Sequence, residues 1–177
     1  MNALLALIDL ILRLASLLFL IRFLLQASNA DYYNQLSQAI IKATDKIANP
    51  FRGILKPYKN LDLASITLAY LFSFGFFVIL SFITNTSIDL PNLFLISLAR
   101  GVEILLGFYW WSILITIISS FFIQQSLHPA IALLQDLVEP ILAPARRLIP
   151  ALGPIDLSPI LVLFSLSFLQ NAVRQIL

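Results

Sequence analysis

Few residues of this 177-residue chain could carry acid–base, nucleophilic or metal chemistry. His128 is the only histidine and there is no cysteine, which excludes disulfides, thiolate metal sites and a cysteine nucleophile. No His/Asp/Glu cluster occurs at metal-ligand spacing, and the five glycines are too scattered to form a phosphate-binding loop. We therefore predict no catalytic residue, no cofactor and no metal site, and we expect that the protein is not an enzyme.

Two aspartates occur in the same setting. Asp62 and Asp156 each precede an apolar run, and each follows an arginine, Arg52 or Arg146, by ten residues. An aspartate at this place can accept hydrogen bonds from the first turn of a helix, and its charge suits the helix dipole. Capping alone is one interpretation, and a buried contact with the arginine of the same or the other copy is the alternative. A catalytic carboxylate pair is the weakest interpretation, because no acid, base or nucleophile partner is nearby in the sequence.

Four other charges lie inside apolar runs. Asp9 precedes Arg13 by four residues and Glu103 follows Arg100 by three, so that acid and base share a helix face in each case. Charges in hydrocarbon are unfavourable and usually paired, and we expect a local ion pair near the outer end of each helix. An ion or proton path and docking to another membrane protein are the alternatives. Snorkelling explains Arg22, at the other end of its run.

The elements that position these residues are predicted to be membrane helices. Hydrophobic residues make up 60% of the chain and charged residues 11%, whereas a soluble domain has about 25% charged residues. About 20 apolar residues are enough to cross the hydrocarbon core. We predict an all-α membrane protein with four transmembrane helices, at about 4–25, 63–83, 98–123 and 155–176. The first run is too long for a signal peptide and contains charges, so we expect it to be retained.

Two long connections join the first span to the second and the third to the fourth. They contain seven basic residues, namely Lys42, Lys46, Arg52, Lys56, Lys59, Arg146 and Arg147. The positive-inside rule places both connections in the cytoplasm and both termini outside, and the bacterial inner membrane is the expected location. The net charge is +2 without a long basic run, so nucleic acid is not an expected partner.

Each long connection has an apolar stripe at helical spacing. The stripes predict amphipathic helices at about 35–48 and 129–143, with their apolar faces in the headgroup region. A re-entrant segment is the alternative. We expect Pro50 and Pro144 to end these helices, because proline in a helix interior removes a hydrogen bond and clashes with the preceding turn.

An offset of 94 residues aligns the two halves of the chain without a gap. It pairs Pro50 with Pro144, Arg52 with Arg146, Asp62 with Asp156, Asp45 with Glu139, and Asp9 with Glu103. The sequence therefore predicts two tandem repeats, 1–90 and 91–177. Since each repeat has two spans, both have the same orientation, which makes them parallel repeats. Inverted repeats need an odd number of spans per copy, so a conventional secondary transporter is disfavoured.

The second copy ends in a phrase that can be compared with known families. It reads Pro-x-Arg-Arg-x-x-Pro-x-x-Gly-x-Ile-Asp-x-Ser-Pro and contains Pro144, Arg146, Arg147, Pro150, Asp156, Ser158 and Pro159. This phrase resembles the signature of the YggT family, called YlmG in other lineages. The first copy departs from it, with Gly53 at the second arginine, Pro57 displaced and Ala64-Ser65 in place of Ser-Pro.

The resemblance extends over essentially the whole chain and implies a small integral membrane protein. It implies roles in osmotic-shock tolerance and ion homeostasis in proteobacteria, and in envelope organisation, nucleoid distribution and cytochrome maturation in cyanobacteria and plastids. It supplies no catalytic residues. We expect a non-enzymatic scaffold or assembly factor, and the alternative is an ion-conducting or osmotic-response protein. The expected partners are the lipid bilayer and either a second copy or another membrane protein.

Overall fold

The fold is all-helical over the residues that the computed structural model describes, which are 3–122, 128–148 and 156–177. This part of the chain contains six helices: α1 (Ala3–Ala27), α2 (Gln35–Ile54), α3 (Leu63–Thr84), α4 (Leu90–Phe122), α5 (Pro129–Leu148) and α6 (Ser158–Arg174). The all-α prediction is confirmed for these residues. His128 directly precedes α5, where its Nδ1 accepts a hydrogen bond from the Ala130 N–H at 3.2 Å.

Three of these helices, α1, α3 and α4, are long and apolar enough to cross a membrane. With 33 residues, α4 extends about 50 Å, well beyond a hydrocarbon core of about 30 Å. The fourth predicted span begins at residue 155, outside the described residues, and its described part is the 17-residue helix α6. Four spans therefore stay a prediction.

The long helices pack in a definite order. α1 packs along α3, α3 packs on α4, and α4 packs on α6, while α1 also crosses α4. One buried cluster, which includes Phe19, Leu68 and Ile104, joins α1, α3 and α4. A second one, which includes Ile113 and Leu137, joins α4 to α5 and α6. Side chains in these clusters contact residues of several helices, as is usual in a close-packed protein interior.

Helices α2 and α5 are amphipathic, as their stripes predicted. Each also buries residues against other helices, and in α2 these are Ser37, Thr44 and Ala48 rather than most of the predicted stripe. The expectation that proline ends these helices is wrong. α2 continues through Pro50 to Ile54, and α5 continues through Pro140 and Pro144 to Leu148. All three prolines are exposed, and packing of the buried face against other helices outweighs their unfavourable helix propensity.

Candidate functional site

The first repeated aspartate caps a helix and binds an arginine at the same time. Asp62 is completely buried before α3, and it accepts hydrogen bonds from the Ser65 N–H at 3.4 Å and the Ser65 hydroxyl at 2.8 Å. Arg52 donates to both oxygens of the same carboxylate. The two interpretations of Asp62, capping and arginine contact, are therefore both realised in one side chain.

Arg22 completes this arrangement from α1. Its side chain is only 2% exposed, and it donates to the Ile41 carbonyl at 3.0 Å, the Thr44 hydroxyl and the Asp45 carboxylate. Its Nε lies 3.6 Å from Asp62 Oδ2. The expectation that Arg22 snorkels is wrong, because α2 covers it and supplies the partners that a buried guanidinium needs. We call Arg22, Asp45, Arg52 and Asp62 the first corner.

Two positive and two negative charges balance in the first corner. Burial by itself raises the pKa of the Asp62 carboxyl above its ordinary value of 3.8, but the hydrogen bonds from Arg52 and Ser65 outweigh it and hold that pKa lower. The carboxylate is thus ionised at neutral pH. A buried ion pair of this kind stabilises a specific arrangement of α1, α2 and α3, because loss of either partner leaves an uncompensated charge.

The second corner consists of Glu139, Arg146 and Asp156, with Arg147 beside them. Arg146 donates to both oxygens of Glu139, at 2.7 and 2.8 Å, and to Asp156 at 2.9 Å. Asp156 also accepts from the Ser158 N–H at 2.9 Å. Burial by itself raises the pKa of the Asp156 carboxyl, but the hydrogen bonds from Ser158 and the contact with Arg146 outweigh it and hold that pKa below its ordinary value.

The two corners differ in exposure and in where their arginines come from. In the second corner the side chains of Arg146, Glu139 and Asp156 are 44%, 53% and 36% exposed, whereas Asp62 is buried. The offset of 94 pairs Arg22 with Thr116, so the second corner has no buried arginine beneath it. Two acids share one arginine there, and Arg147 at the exposed end of α5 adds a second positive charge.

The structure also locates Ser158 and most of the prolines of the repeated phrase. Pro159 lies in the first turn of α6, where proline loses no helix hydrogen bond, and Ser158 is buried beside it. Pro50 and Pro144 lie within α2 and α5, and Pro150 lies outside the described residues. Among the residues that the structure describes, no group of three or more His, Asp or Glu side chains could hold a metal ion.

The charges inside the apolar runs pair between helices. Arg100 binds Asp9, and Arg13 binds Glu103, so each acid of α1 or α4 meets the base of the other helix. The expectation of a local pair within each helix is wrong, because the crossing of α1 and α4 brings these faces together. Arg174 also reaches Glu103, with 3.4 Å between its Nε and Oε1.

Arg100 has a second, aromatic contact. Its guanidinium lies 4.0 Å from the centre of the Phe76 ring on α3, which adds a cation–π attraction to the ion pair with Asp9. Sequence reasoning missed the roles of Arg22, Asp45 and Arg174. The repeated acid at Asp45 and Glu139 was the one available signal for the corner, whereas nothing in the sequence placed Arg174 against Glu103.

These observations define a class: an all-helical membrane protein with long apolar helices, two amphipathic helices and buried ion pairs between its elements. The family model for CCB3/YggT matches residues 1–83 and 95–177. The chain belongs to the CCB3/YggT family, which confirms the resemblance of the Pro144–Pro159 phrase.

Individual relatives match over most of their length. An uncharacterized protein of Vibrio alginolyticus, described by its place in the proC 3' region, is 36% identical over 173 residues, which cover 95% of this chain and 91% of that protein. The uncharacterized protein YggT of Escherichia coli K12 is 30% identical over 177 residues, 100% of this chain and 92% of YggT. An uncharacterized Pseudomonas aeruginosa protein is 33% identical over 159 residues, 89% of this chain and 81% of its own. No solved structure matches the chain.

Proposed function

We propose that this protein is a non-enzymatic scaffold or assembly factor of the bacterial inner membrane that binds a partner protein at its second corner. The observation that carries the proposal is the difference between the corners. The same Arg–Asp arrangement occurs twice, but its aspartate is fully buried in the first corner and exposed in the second. An exposed ion pair contributes only about 0–1 kcal/mol to stability, so the arginines and carboxylates of the second corner contribute little to the fold and stay accessible to a partner.

The first corner serves the fold in this proposal. Arg22 and Asp62 tie α1, α2 and the start of α3 together, and the buried pair fixes where α2 lies against the long helices. The second corner has no such tie from α4, because Thr116 stands where α1 has Arg22 and uses its hydroxyl on the Ile113 carbonyl. Its arginines and acids present an alternating-charge surface suited to a partner of complementary charge.

The proposal includes four spans in two parallel repeats, with both corners in the cytoplasm. The family model supports the repeat: residue 1 corresponds to residue 95 and residue 83 to residue 177, in both cases 94 positions apart. The 17 residues of α6 would extend about 26 Å, close to the thickness of the hydrocarbon core. Basic residues at both corners support the cytoplasmic placement, and α2 and α5 would lie in the interface.

Ion conduction by a single chain is disfavoured by the packing. The interhelical pairs around Arg13 and the first corner around Arg22 are nine residues apart on α1, about 13 Å along the helix. Between them lies the buried apolar cluster that includes Phe19, Leu68 and Ile104. Among the described residues, the buried hydroxyls of Ser16 and Ser73 lie on the Arg13 side of this cluster, and the apolar cluster separates them from the first corner.

Photo-crosslinking in cells tests the partner-binding proposal with a matched pair of positions. Leu148 ends α5 beside the second corner and Ile54 is its offset equivalent on α2; they are similarly exposed, at 77% and 84%. A photoreactive amino acid at position 148 is expected to capture a specific protein, and the same probe at position 54 much less of it. Arg147→Gln should abolish the product from position 148 without changing the amount of protein in the membrane.

Products from position 148 that consist only of lipid adducts and self-contacts would overturn the proposal. Equal capture from positions 148 and 54 would also contradict it, since the proposal assigns recognition to one corner. The osmotic-stress role that the family resemblance implies is the physiological context we propose. Loss of osmotic tolerance on Arg147→Gln, with normal protein levels, is the expected phenotype.

A further inference from the structure

The packing of the helices leaves one side of the bundle open. α3 packs on α4, and the offset of 94 pairs α3 with α6 and α1 with α4, so α6 against α1 would be the equivalent contact. That contact is not formed to a comparable extent. A groove of about 730 Å³ lies there instead, between α1, α4 and α6.

The sequence differs at the residues that would close this groove. On α3, Phe76 and Phe77 are buried, with ring centres 5.2 Å apart, and they pack under Arg100 and against α4. The offset equivalents on α6 are Gln170 and Asn171, which line the groove. Amide side chains cannot replace that aromatic contact, and in an apolar setting they require hydrogen-bonding partners.

One end of the groove is charged and net positive. Arg13 and Arg174 both bind the single carboxylate of Glu103, so the three side chains together carry one positive charge. The arginine side chains are 45% and 61% exposed, whereas Glu103 is only 14% exposed. Each guanidinium has five N–H donors, and Glu103 occupies only part of this capacity. The unused donors suit a phosphate group, which guanidinium binds in a bidentate manner.

The rest of the groove is apolar and has the length of a lipid chain. Along α4 it extends from Glu103 to Ile115, about 18 Å, which is close to half the thickness of the hydrocarbon core. Trp110 and Trp111 line it, and Trp111 is 60% exposed. The other end reaches Leu134 on α5, so the charged end lies on the opposite side from the corners.

We propose that this groove binds one anionic phospholipid, with its phosphate on Arg13 and Arg174 and an acyl chain along α4. The amides of Gln170 and Asn171 contribute hydrogen bonds to the glycerol or headgroup oxygens. Charge complementarity favours this occupant over a second copy of the chain, whose apolar helix surfaces would offer no acceptor to the arginine donors that Glu103 leaves unused. The site is separate from the second corner, and it does not depend on the proposed scaffold function.

Tryptophan fluorescence provides a direct test, because Trp110 and Trp111 are the two tryptophans of the chain and both line the groove. The full chain is reconstituted in phosphatidylcholine vesicles that contain increasing amounts of brominated phosphatidylglycerol. Quenching is expected to saturate at a low fraction of the anionic lipid. Brominated phosphatidylcholine, titrated into unlabelled phosphatidylglycerol, should quench only in proportion to its amount.

Two variants and one control make the test specific. Arg13→Gln with Arg174→Gln should raise the half-saturating lipid fraction by a factor of about five for each arginine lost. Gln170→Phe with Asn171→Phe installs the aromatic pair of α3, fills the groove and should abolish saturable quenching while the protein stays folded. Lys42→Gln removes an exposed positive charge of α2 that belongs to neither corner nor to the groove, and it should leave the half-saturating lipid fraction unchanged.

Equal quenching by the two brominated lipids in the unmodified chain would overturn the proposal. Retention of lipid selectivity in the groove-filled variant would do so as well, and this variant decides the question if the double arginine variant does not fold. If neither brominated lipid quenches the tryptophans, and if position 171 crosslinks one copy of the chain to another, a second chain occupies the groove. This outcome would also contradict the proposal.

Discussion

Replacing Asp62 by asparagine is expected to destabilise the protein far more than the same change at its repeat equivalent, Asp156. The Asp62 carboxylate is fully buried and accepts hydrogen bonds from Arg52 and Ser65, with Arg22 Nε 3.6 Å away. Asparagine keeps one acceptor oxygen but leaves two arginines facing a single acid, Asp45. Breaking a buried pair in this way destabilises a fold by about 3–5 kcal/mol, and we expect a loss near the lower end because Arg52 is partly exposed.

Asp156 is the matched control. Asp156 also accepts hydrogen bonds from a backbone N–H, that of Ser158, and from Arg146. However, its side chain is 36% exposed and that of Arg146 is 44% exposed. Water can replace the lost contacts there, and an exposed pair contributes about 0–1 kcal/mol. Both substitutions remove a carboxylate that binds an arginine and a backbone N–H. Asp62 is the N-cap of α3, whereas Asp156 directly precedes Leu157, the N-cap of α6, and burial is the largest difference between the two sites.

The measurement is the free energy of unfolding of each variant in the same mixed-micelle system, followed by helix content and by tryptophan fluorescence. Arg52→Gln and the double variant Arg52→Gln/Asp62→Asn complete a double-mutant cycle, in which the coupling between Arg52 and Asp62 should be clearly larger than that between Arg146 and Asp156. Equal losses for Asp62→Asn and Asp156→Asn would refute the reasoning, since it derives the difference from burial alone.

Three further predictions concern pH, helix pairing and transport. The pKa of Asp62 is lowered in the folded protein. The ionised Asp62 carboxylate therefore stabilises the fold above its ordinary pKa of 3.8, and this stabilisation is lost as the pH falls through the pKa of the folded state. The difference in unfolding free energy between wild type and Asp62→Asn should shrink in strong acid and stay constant near neutral pH. The double variant Arg13→Glu/Glu103→Arg exchanges the charges of an interhelical pair and should restore part of the stability that either single change removes. The double variant Arg13→Asp/Asp9→Arg exchanges charges within α1 and should not, because the ion pair joins α1 to α4. Equal rescue by both double variants would contradict the interhelical pairing. Proteoliposomes with the purified chain should show no cation flux above empty vesicles, and a flux that falls on Asp9→Asn/Glu103→Gln would instead favour ion conduction.

Helix positions were largely predictable because their causes are local. An apolar run long enough to cross a membrane and an apolar stripe at helical spacing are both properties of consecutive residues. These patterns predicted at least one end of α1, α2, α3 and α5 to within a few residues. The ends of α2 and α5 were not predictable in this way. Proline is unfavourable in an isolated helix, but the packing of Ala48 and Ala145 against other elements outweighs it at Pro50 and Pro144.

The pairing of charges was predictable in kind but not in partner. A charged side chain inside an apolar run needs an opposite charge, and the sequence offered one for Asp9 and one for Glu103 on the same helix. In the folded protein, α1 lies against α4, and each of these two acids pairs with a basic residue of the other helix instead. Which partner is chosen depends on how two helices lie against each other, and that depends on side chains far apart in the chain.

By itself, the sequence determined the class of protein, the approximate positions of its helices and its family, and it predicted a 94-residue correspondence between its halves. These follow from composition, spacing and motif, which are written in neighbouring residues. Only the tertiary structure decided that one Arg–Asp corner is buried and the other exposed, and that a groove replaces the contact between α1 and α6. Burial is a property of what covers a residue, and the covering groups, such as α2 over Arg22, come from distant parts of the chain.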